Sequence, residues 1–535
     1  MLVAGAATFL LVLPAPKNEA QIMGAPLPVP EKRLFMSLAW AQQLPDAKAA
    51  ADYAAACKER GLNGCGMQII WSTIEPEEGK FTWEWLDERL DALVNAGLRV
   101  HLRLAIYRQL PEWLKPVFMC GSDGAVLDLG RPPRSAKQVS FADRETMAYI
   151  ARAMHAVMEH VMARYQHIAP HPIVAILSQH NASAETEYVI STWSDFSPGA
   201  QEDFRTWLRE TRFPVGKSGV RPAGVNTAVT PLETTAPAGL DELNNSWGTH
   251  FKEWNQITLQ AAPVFDFHAY RTYALARFIK QCADSVHTVP GARLAVQFGS
   301  VWDDFSPFRS TRDVRTLIEY ADLVMVDDSP IYNFSFSMDY LRGQAWDKIW
   351  GNEIDGPNNP YATNERFLHQ GTVSAQRGVR LLFAANWQAG ALRDRRQWTF
   401  WEPVCAELAK PAAVQPRLAI VVSVATLYHQ QRQPKEPYAE ELAFVRDLYS
   451  LLSREGKEPV DFLTDAVLIS HPERIKEYPK GLYLPASQVW MTDALVAALS
   501  SAPVPVYMEG KDAGLMDEYG RPRAQRPKNW KMMVK

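Results

Sequence analysis

The 535-residue sequence predicts an α/β protein, a (β/α)8 TIM barrel followed by a smaller α/β domain. From about residue 34 to residue 395, short apolar runs alternate with long amphipathic stretches, the pattern of repeated strand–helix units. The runs number eight, which is what closing such a barrel requires. Beyond Pro416 the alternation resumes in a shorter series.

The expected strands are Leu34–Ala39, Gly64–Ile70, Arg99–Ala105, Ile173–Ser178, Arg293–Phe298, Leu323–Val326, Lys348–Trp350 and Arg380–Ala385. Between them lie helix-like segments such as Trp83–Ala96 and Arg144–Tyr165. Phe213–Leu240, rich in Pro, Thr, Gly and Ala, reads as a loop inserted between strands four and five. The barrel is assigned to residues 26–400 and the smaller domain to 416–515, with 516–535 as a tail. In the smaller domain, strands are expected at Leu418–Val424, Pro459–Leu463, Gly481–Pro485 and Val504–Glu509, with a helix at Glu440–Arg454. It carries no glycine-rich phosphate loop, so nucleotide binding has no support.

Composition narrows the function. Hydrophobic residues make up 47% and charged residues 22%, enough apolar material for large cores. The net charge of −4, with no strongly basic stretch, argues against nucleic acid as a partner. Five cysteines, odd in number and without CxxC spacing, indicate neither a disulfide framework nor a zinc site. Leu2 to Leu13 is a 12-residue apolar run followed by Pro14-Ala15-Pro16. It is too short to span a bilayer easily but suits an export leader over residues 1–25, so a secreted or periplasmic location is expected. No other apolar run is long enough for a membrane span. The 17 tryptophans serve either core packing or stacking on a flat ligand such as a sugar ring.

In a barrel, catalytic groups project from the C-terminal ends of the strands. The fourth strand is followed by Gln179-His180-Asn181-Ala182-Ser183-Ala184-Glu185-Thr186-Glu187-Tyr188, so Glu185 and Glu187 are both candidates for a general acid. The seventh strand ends in Trp350-Gly351-Asn352-Glu353, which makes Glu353 the candidate nucleophile, with Asp355 its local competitor. Paired carboxylates on these strands are what retaining glycoside hydrolysis needs, at a separation of roughly 5–5.5 Å; inversion needs about 6.5–9.5 Å. On strand three, period two sends Arg99, His101 and Arg103 to one face. Arg103 is suited to orienting a carboxylate or an anionic sugar group, or to a structural ion-pair layer. Asp327 and Asp328 lack accompanying ligands, so no metal is expected.

These residues resemble the clan A glycoside hydrolases, most closely the family 42 β-galactosidases. The resemblance rests on Trp71-Ser72-Thr73-Ile74-Glu75-Pro76-Glu77-Glu78-Gly79-Lys80-Phe81, Trp85-Leu86-Asp87 and Ala96-Gly97-Leu98-Arg99-Val100. Pro111-Glu112-Trp113-Leu114, Leu240-Asp241-Glu242-Leu243-Asn244 and Trp247-Gly248-Thr249 extend it. The domain after Pro416 is similar to the family's amidotransferase-like, flavodoxin-like second domain. The family's Asn-Glu at the end of strand four is absent: an ungapped register places Asn181-Ala182 there. Over this stretch the chain is similar to β-amylases, in which a glutamate precedes Tyr by three residues, matching Glu185 and Tyr188; a short insertion would instead make Glu187 the counterpart. The resemblance implies Glu353 as nucleophile, Tyr332 as its hydrogen-bond partner, Trp387 as the floor of the first sugar subsite, Asn181 as a hydroxyl ligand and Trp302 as a weaker stacking residue.

The expectation is therefore a cofactor-free glycosidase acting on a β-linked oligo- or polysaccharide with retention, galactose being the default sugar by analogy. A homotrimer is implied by the family alone. The alternatives are an inverting, β-amylase-like hydrolase and a carbohydrate-binding protein on a decayed barrel.

Overall fold

A computed structural model describes residues 33–533 apart from 108, 130–135, 182–183, 191, 215–238, 303–305, 328–333, 355, 357–361, 386, 395–398, 412–413, 431–438 and 525–528. The expected leader, Tyr332, Asp328, Asp355 and most of the 213–240 insert lie outside the described residues.

Eight parallel strands build the first sheet: β1 (Leu34–Ala39), β2 (Gly64–Ile70), β3 (Arg99–Ala105), β4 (Ile173–Gln179), β5 (Ala295–Phe298), β6 (Leu323–Asp327), β7 (Ile349–Ile354) and β8 (Leu381–Ala384). Their order is β4-β3-β2-β1-β8-β7-β6-β5. The ring is joined between β4 and β5 by a parallel bridge from Ile176 to Leu294, with Ile176 N donating to Arg293 O at 3.1 Å. This is the TIM barrel expected from the eight apolar runs. The largest difference in bounds is at β7, which runs on to Ile354 and so carries Glu353 within the strand.

Period two divides each strand between two cores. Leu34, Met36, Leu38, Leu177, Ala295, Leu323, Met325, Ile349, Leu381 and Phe383 fill the barrel, while their neighbours pack outward under the helices. The barrel is tight enough that a Cβ on Gly351 would lie 2.3 Å from Leu381 O. Outside, Asp46 caps the helix Ala47–Glu59 at Ala49 N, and Asp143 caps Arg144–Arg164 at Thr146 N. The second helix buries Met147, Ile150, Ala151, Met154, Val157, Met158 and Val161, a stripe at spacings of three and four. Each large member contributes about 1.5–3 kcal/mol. The loop after β2 is tied by Glu75, which accepts from Trp71 Nε1 at 2.7 Å and Gly79 N at 2.8 Å and pairs with Arg152. That fully buried carboxylate explains the Trp71–Gly79 segment as scaffold.

The second sheet holds β9 (Ala419–Val422), β10 (Asp461–Thr464), β11 (Leu482–Leu484), β12 (Val506–Met508) and β13 (Lys531–Met532), all parallel in the order β10-β9-β11-β12-β13. Counted within this sheet the order is 2-1-3-4-5, the doubly wound arrangement. The stretch read as a tail thus supplies an edge strand, whose two exposed residues carry no alternating pattern. The sheet is fastened to the barrel by a buried ionic cluster. Arg342 binds Asp339 at 2.6 Å and Asp461 at 2.8 Å, Arg377 reaches Asp339 at 3.0 Å, and Tyr449 donates to Asp339 at 2.8 Å.

Candidate active site

Inward phase and strand-end position decide which side chains meet at the barrel mouth. On β7, Ile349 and Gly351 point inward, so Glu353 does too, while Trp350 belongs to the outer core. On β3, on the opposite side of the barrel, Arg103 follows His101 on the inner face. Arg103 Nη2 lies 2.7 Å from Glu353 Oε2, and Gln297 Nε2 on β5 donates to the same oxygen at 3.0 Å. The Arg103 guanidinium also sits 4.7 Å from the Phe383 ring centroid. Burial and the neighbouring Arg103 hold the His101 imidazole well below its usual pKa, so the layer beneath the ion pair is neutral. Arg103 is thus paired with the Glu353 carboxylate inside the barrel.

The loop after β4 presents the other carboxyl groups. His180 N and Asn181 N donate to Glu185 O at 2.8 and 3.0 Å, and Glu185 N donates to Asn181 Oδ1 at 2.9 Å. Ala184 closes this turn with φ of 81°. Thr186 N then donates to Gln297 O at 2.7 Å, pinning the loop to β5.

Glu185 and Glu187 differ sharply in their surroundings. Glu187 Oε1 accepts from Asn181 Nδ2 at 2.9 Å and faces Arg309 Nε at 3.3 Å, while Oε2 accepts from Gly299 N at 2.9 Å. A Cβ at residue 299 would stand 1.6 Å from Arg309 Nη1, so only glycine lets this arginine approach. Glu185 instead keeps Oε2 without a hydrogen bond among the described residues. Burial pushes its carboxyl up to about 7; Arg309 opposes the shift, and the charge of Glu353 adds to it. Glu185 and Glu353 therefore feel one another, with exposures of 3% and 4%. A carboxyl that keeps its proton near neutrality, beside a carboxylate held by a guanidinium, is an arrangement for acid-assisted displacement.

Three expected sugar contacts are corrected. Trp387 has no exposed surface; it packs edge-on against Trp401 at 4.9 Å and beside Phe400 and Phe367 at 6.0 and 6.1 Å. Trp302 is buried against Phe336 and Tyr340, at 5.2 and 5.0 Å, on the side facing Phe462 of the second sheet. The Asn181 amide is spent on Glu187 and on the turn. Three glutamines were not foreseen: Gln297, Gln68 and Gln179, with Gln68 Nε2 donating to Gln179 Oε1 at 2.7 Å. For Gln68 and Gln297 the inward phase of β2 and β5 was a usable signal; for Arg309, at the end of the short helix Ser306–Arg309, there was none. Among the described residues no group of three or more His, Cys, Asp or Glu is placed to hold a metal ion.

Residues 41–289 match the sequence profile of glycoside hydrolase family 42, described as β-galactosidase. The chain resembles family 42 of the clan A glycoside hydrolases. The β-galactosidase bgaB of Geobacillus kaustophilus is 26% identical over 219 residues, covering 39% of this chain and 26% of that protein. The chain spans about a quarter of the length of the curated relatives it matches. The β-galactosidase from psychrophilic Marinomonas ef1 shares the fold at a TM-score of 0.67 and 18% identity, over 93% of this chain and 78% of that one. The β-galactosidase of the Antarctic haloarchaeon Halorubrum lacusprofundi does so at 0.68 and 15%, over 93% and 75%.

Proposed function

We propose that this chain is a β-galactosidase-like glycoside hydrolase that works with retention, using Glu353 as nucleophile and Glu185 as acid/base. The observation that carries the reading is the pairing at one barrel mouth of a proton-holding Glu185 with an arginine-bound Glu353. In the first step Glu353 attacks the anomeric carbon while Glu185 protonates the leaving oxygen, giving a glycosyl ester. Esterification removes the negative charge of Glu353, which lowers the proton affinity of Glu185 and suits it to take a proton from the incoming water. Water then attacks the same carbon and releases the sugar with Glu353 restored. The low-dielectric surroundings of both groups strengthen the electrostatics on which such a transition state depends.

The resemblance to β-galactosidases supports a β-linked galactoside as the substrate to try first. Hydrolysis of an aryl β-glycoside panel by the wild type, Glu353→Ala, Glu185→Ala and Glu187→Ala tests the reading. Turnover by the wild type, its loss in Glu353→Ala, and azide rescue of Glu185→Ala to a β-glycosyl azide are expected. Rescue of Glu187→Ala instead would reassign the acid/base, and α-anomeric first product would replace retention by inversion. Export through the 1–25 leader and assembly as a trimer belong to the same proposal; cell fractionation and sedimentation measure them directly.

A further inference from the structure

Gln297 joins the two halves of the site. Its main-chain oxygen takes Thr186 N from the Glu185 loop, and its side-chain Nε2 donates to Glu353 Oε2 at 3.0 Å. Arg103 holds that same oxygen. With both donors on Oε2, the Oε1 atom of Glu353 takes no hydrogen bond among the described residues, which leaves its lone pairs for bond formation. Gln297 is 2% exposed, yet its own Oε1 has no hydrogen-bond partner among the described residues. A buried amide oxygen without a partner is unfavourable unless something else fills the role.

We propose that Gln297 positions Glu353 for attack through Oε1 and that its own amide oxygen accepts the hydroxyl on the carbon next to the anomeric centre of the bound sugar. This rests on the retaining reading above. The amide spans only about one bond angle between its nitrogen, on Glu353, and its oxygen, so the hydroxyl it meets is one close to the nucleophile. The 2-hydroxyl is that group, and hydrogen bonds to it strengthen as the transition state forms.

The test compares the wild type with Gln297→Leu and Gln297→Glu on the best aryl β-glycoside and on its 2-deoxy counterpart. The wild type is expected to favour the parent compound by about 100-fold or more in kcat/KM. Gln297→Leu is expected to lose most of that factor on the parent, chiefly in kcat, and little on the 2-deoxy compound, so discrimination collapses. Equal losses on both substrates would mean a merely structural glutamine and overturn the proposal. Gln297→Glu keeps the shape and an acceptor oxygen but places a second carboxylate beside Glu353. It is expected to retain the preference for the 2-hydroxyl while kcat falls on both compounds, and it carries the test if Gln297→Leu does not fold. Wild-type activity in Gln297→Glu on both would also overturn the proposal. A wild type that hydrolyses no aryl β-glycoside fails the retaining reading itself, whereas an active wild type with unchanged discrimination in Gln297→Leu fails only this inference.

Discussion

Replacing Glu185 and Glu187 each by Gln should move stability in opposite directions. The Glu185 carboxyl is raised from 4.5 to about 7, so between those values the folded protein keeps a proton that the unfolded chain has released. Stability therefore falls as pH rises through this window, by about 3 kcal/mol at 1.36 kcal/mol per unit, and the penalty is fully present above pH 7. Glu185→Gln removes it: little change at pH 4, and stabilisation of up to about 3 kcal/mol at pH 8. Glu187 is the reverse case, a buried carboxylate paired with Arg309 and accepting from Asn181 and Gly299 N. Glu187→Gln removes the carboxylate charge that faces Arg309 and should cost about 3–5 kcal/mol. Thermal melts of both variants and the wild type at pH 4.5 and 8 give the assay. Destabilisation by Glu185→Gln at pH 8, or tolerance of Glu187→Gln, would refute the division of roles.

Three further outcomes follow from the same contacts. The kcat/KM profile should fall on its alkaline side as pH rises through about 7, because a general acid acts only while protonated; a flat profile from pH 6 to 9 would contradict it. In Glu353→Gln, carbon-13 NMR titration should find the Glu185 pKa below its wild-type value, since one cause of the rise has been removed. Gly299→Ala should destabilise by about 1–3 kcal/mol, because its Cβ would overlap Arg309 and push it from Glu187; a melting curve identical to the wild type would show that the loop yields freely.

The barrel was legible because every strand is a short apolar run whose inward phase and neighbouring helices repeat eight times, as β3 and β7 illustrate. Glu353 was legible for the same reason: its place on β7 follows from Gly351 and Ile349. The choice between Glu185 and Glu187 was not, since both lie in a loop and the difference between them is made by Gly299 and Arg309, more than 100 residues away. Trp387 and Trp302 misled because strand-end position does not report burial; Trp401, Phe400 and Phe462 cover them from segments that no local pattern connects. The short edge strand β13 escaped because two exposed residues carry no periodicity.

The retaining mechanism requires that Glu353 form a covalent bond to the sugar. Incubation with a 2-deoxy-2-fluoro β-galactoside bearing a good leaving group, followed by intact-mass measurement and peptide mapping, tests it most directly. The predicted result is one fluoro-sugar per chain, attached to the peptide containing Glu353 and absent in Glu353→Ala. An adduct on another residue, or steady turnover of the parent aryl galactoside with no adduct from the fluoro-sugar, would contradict it.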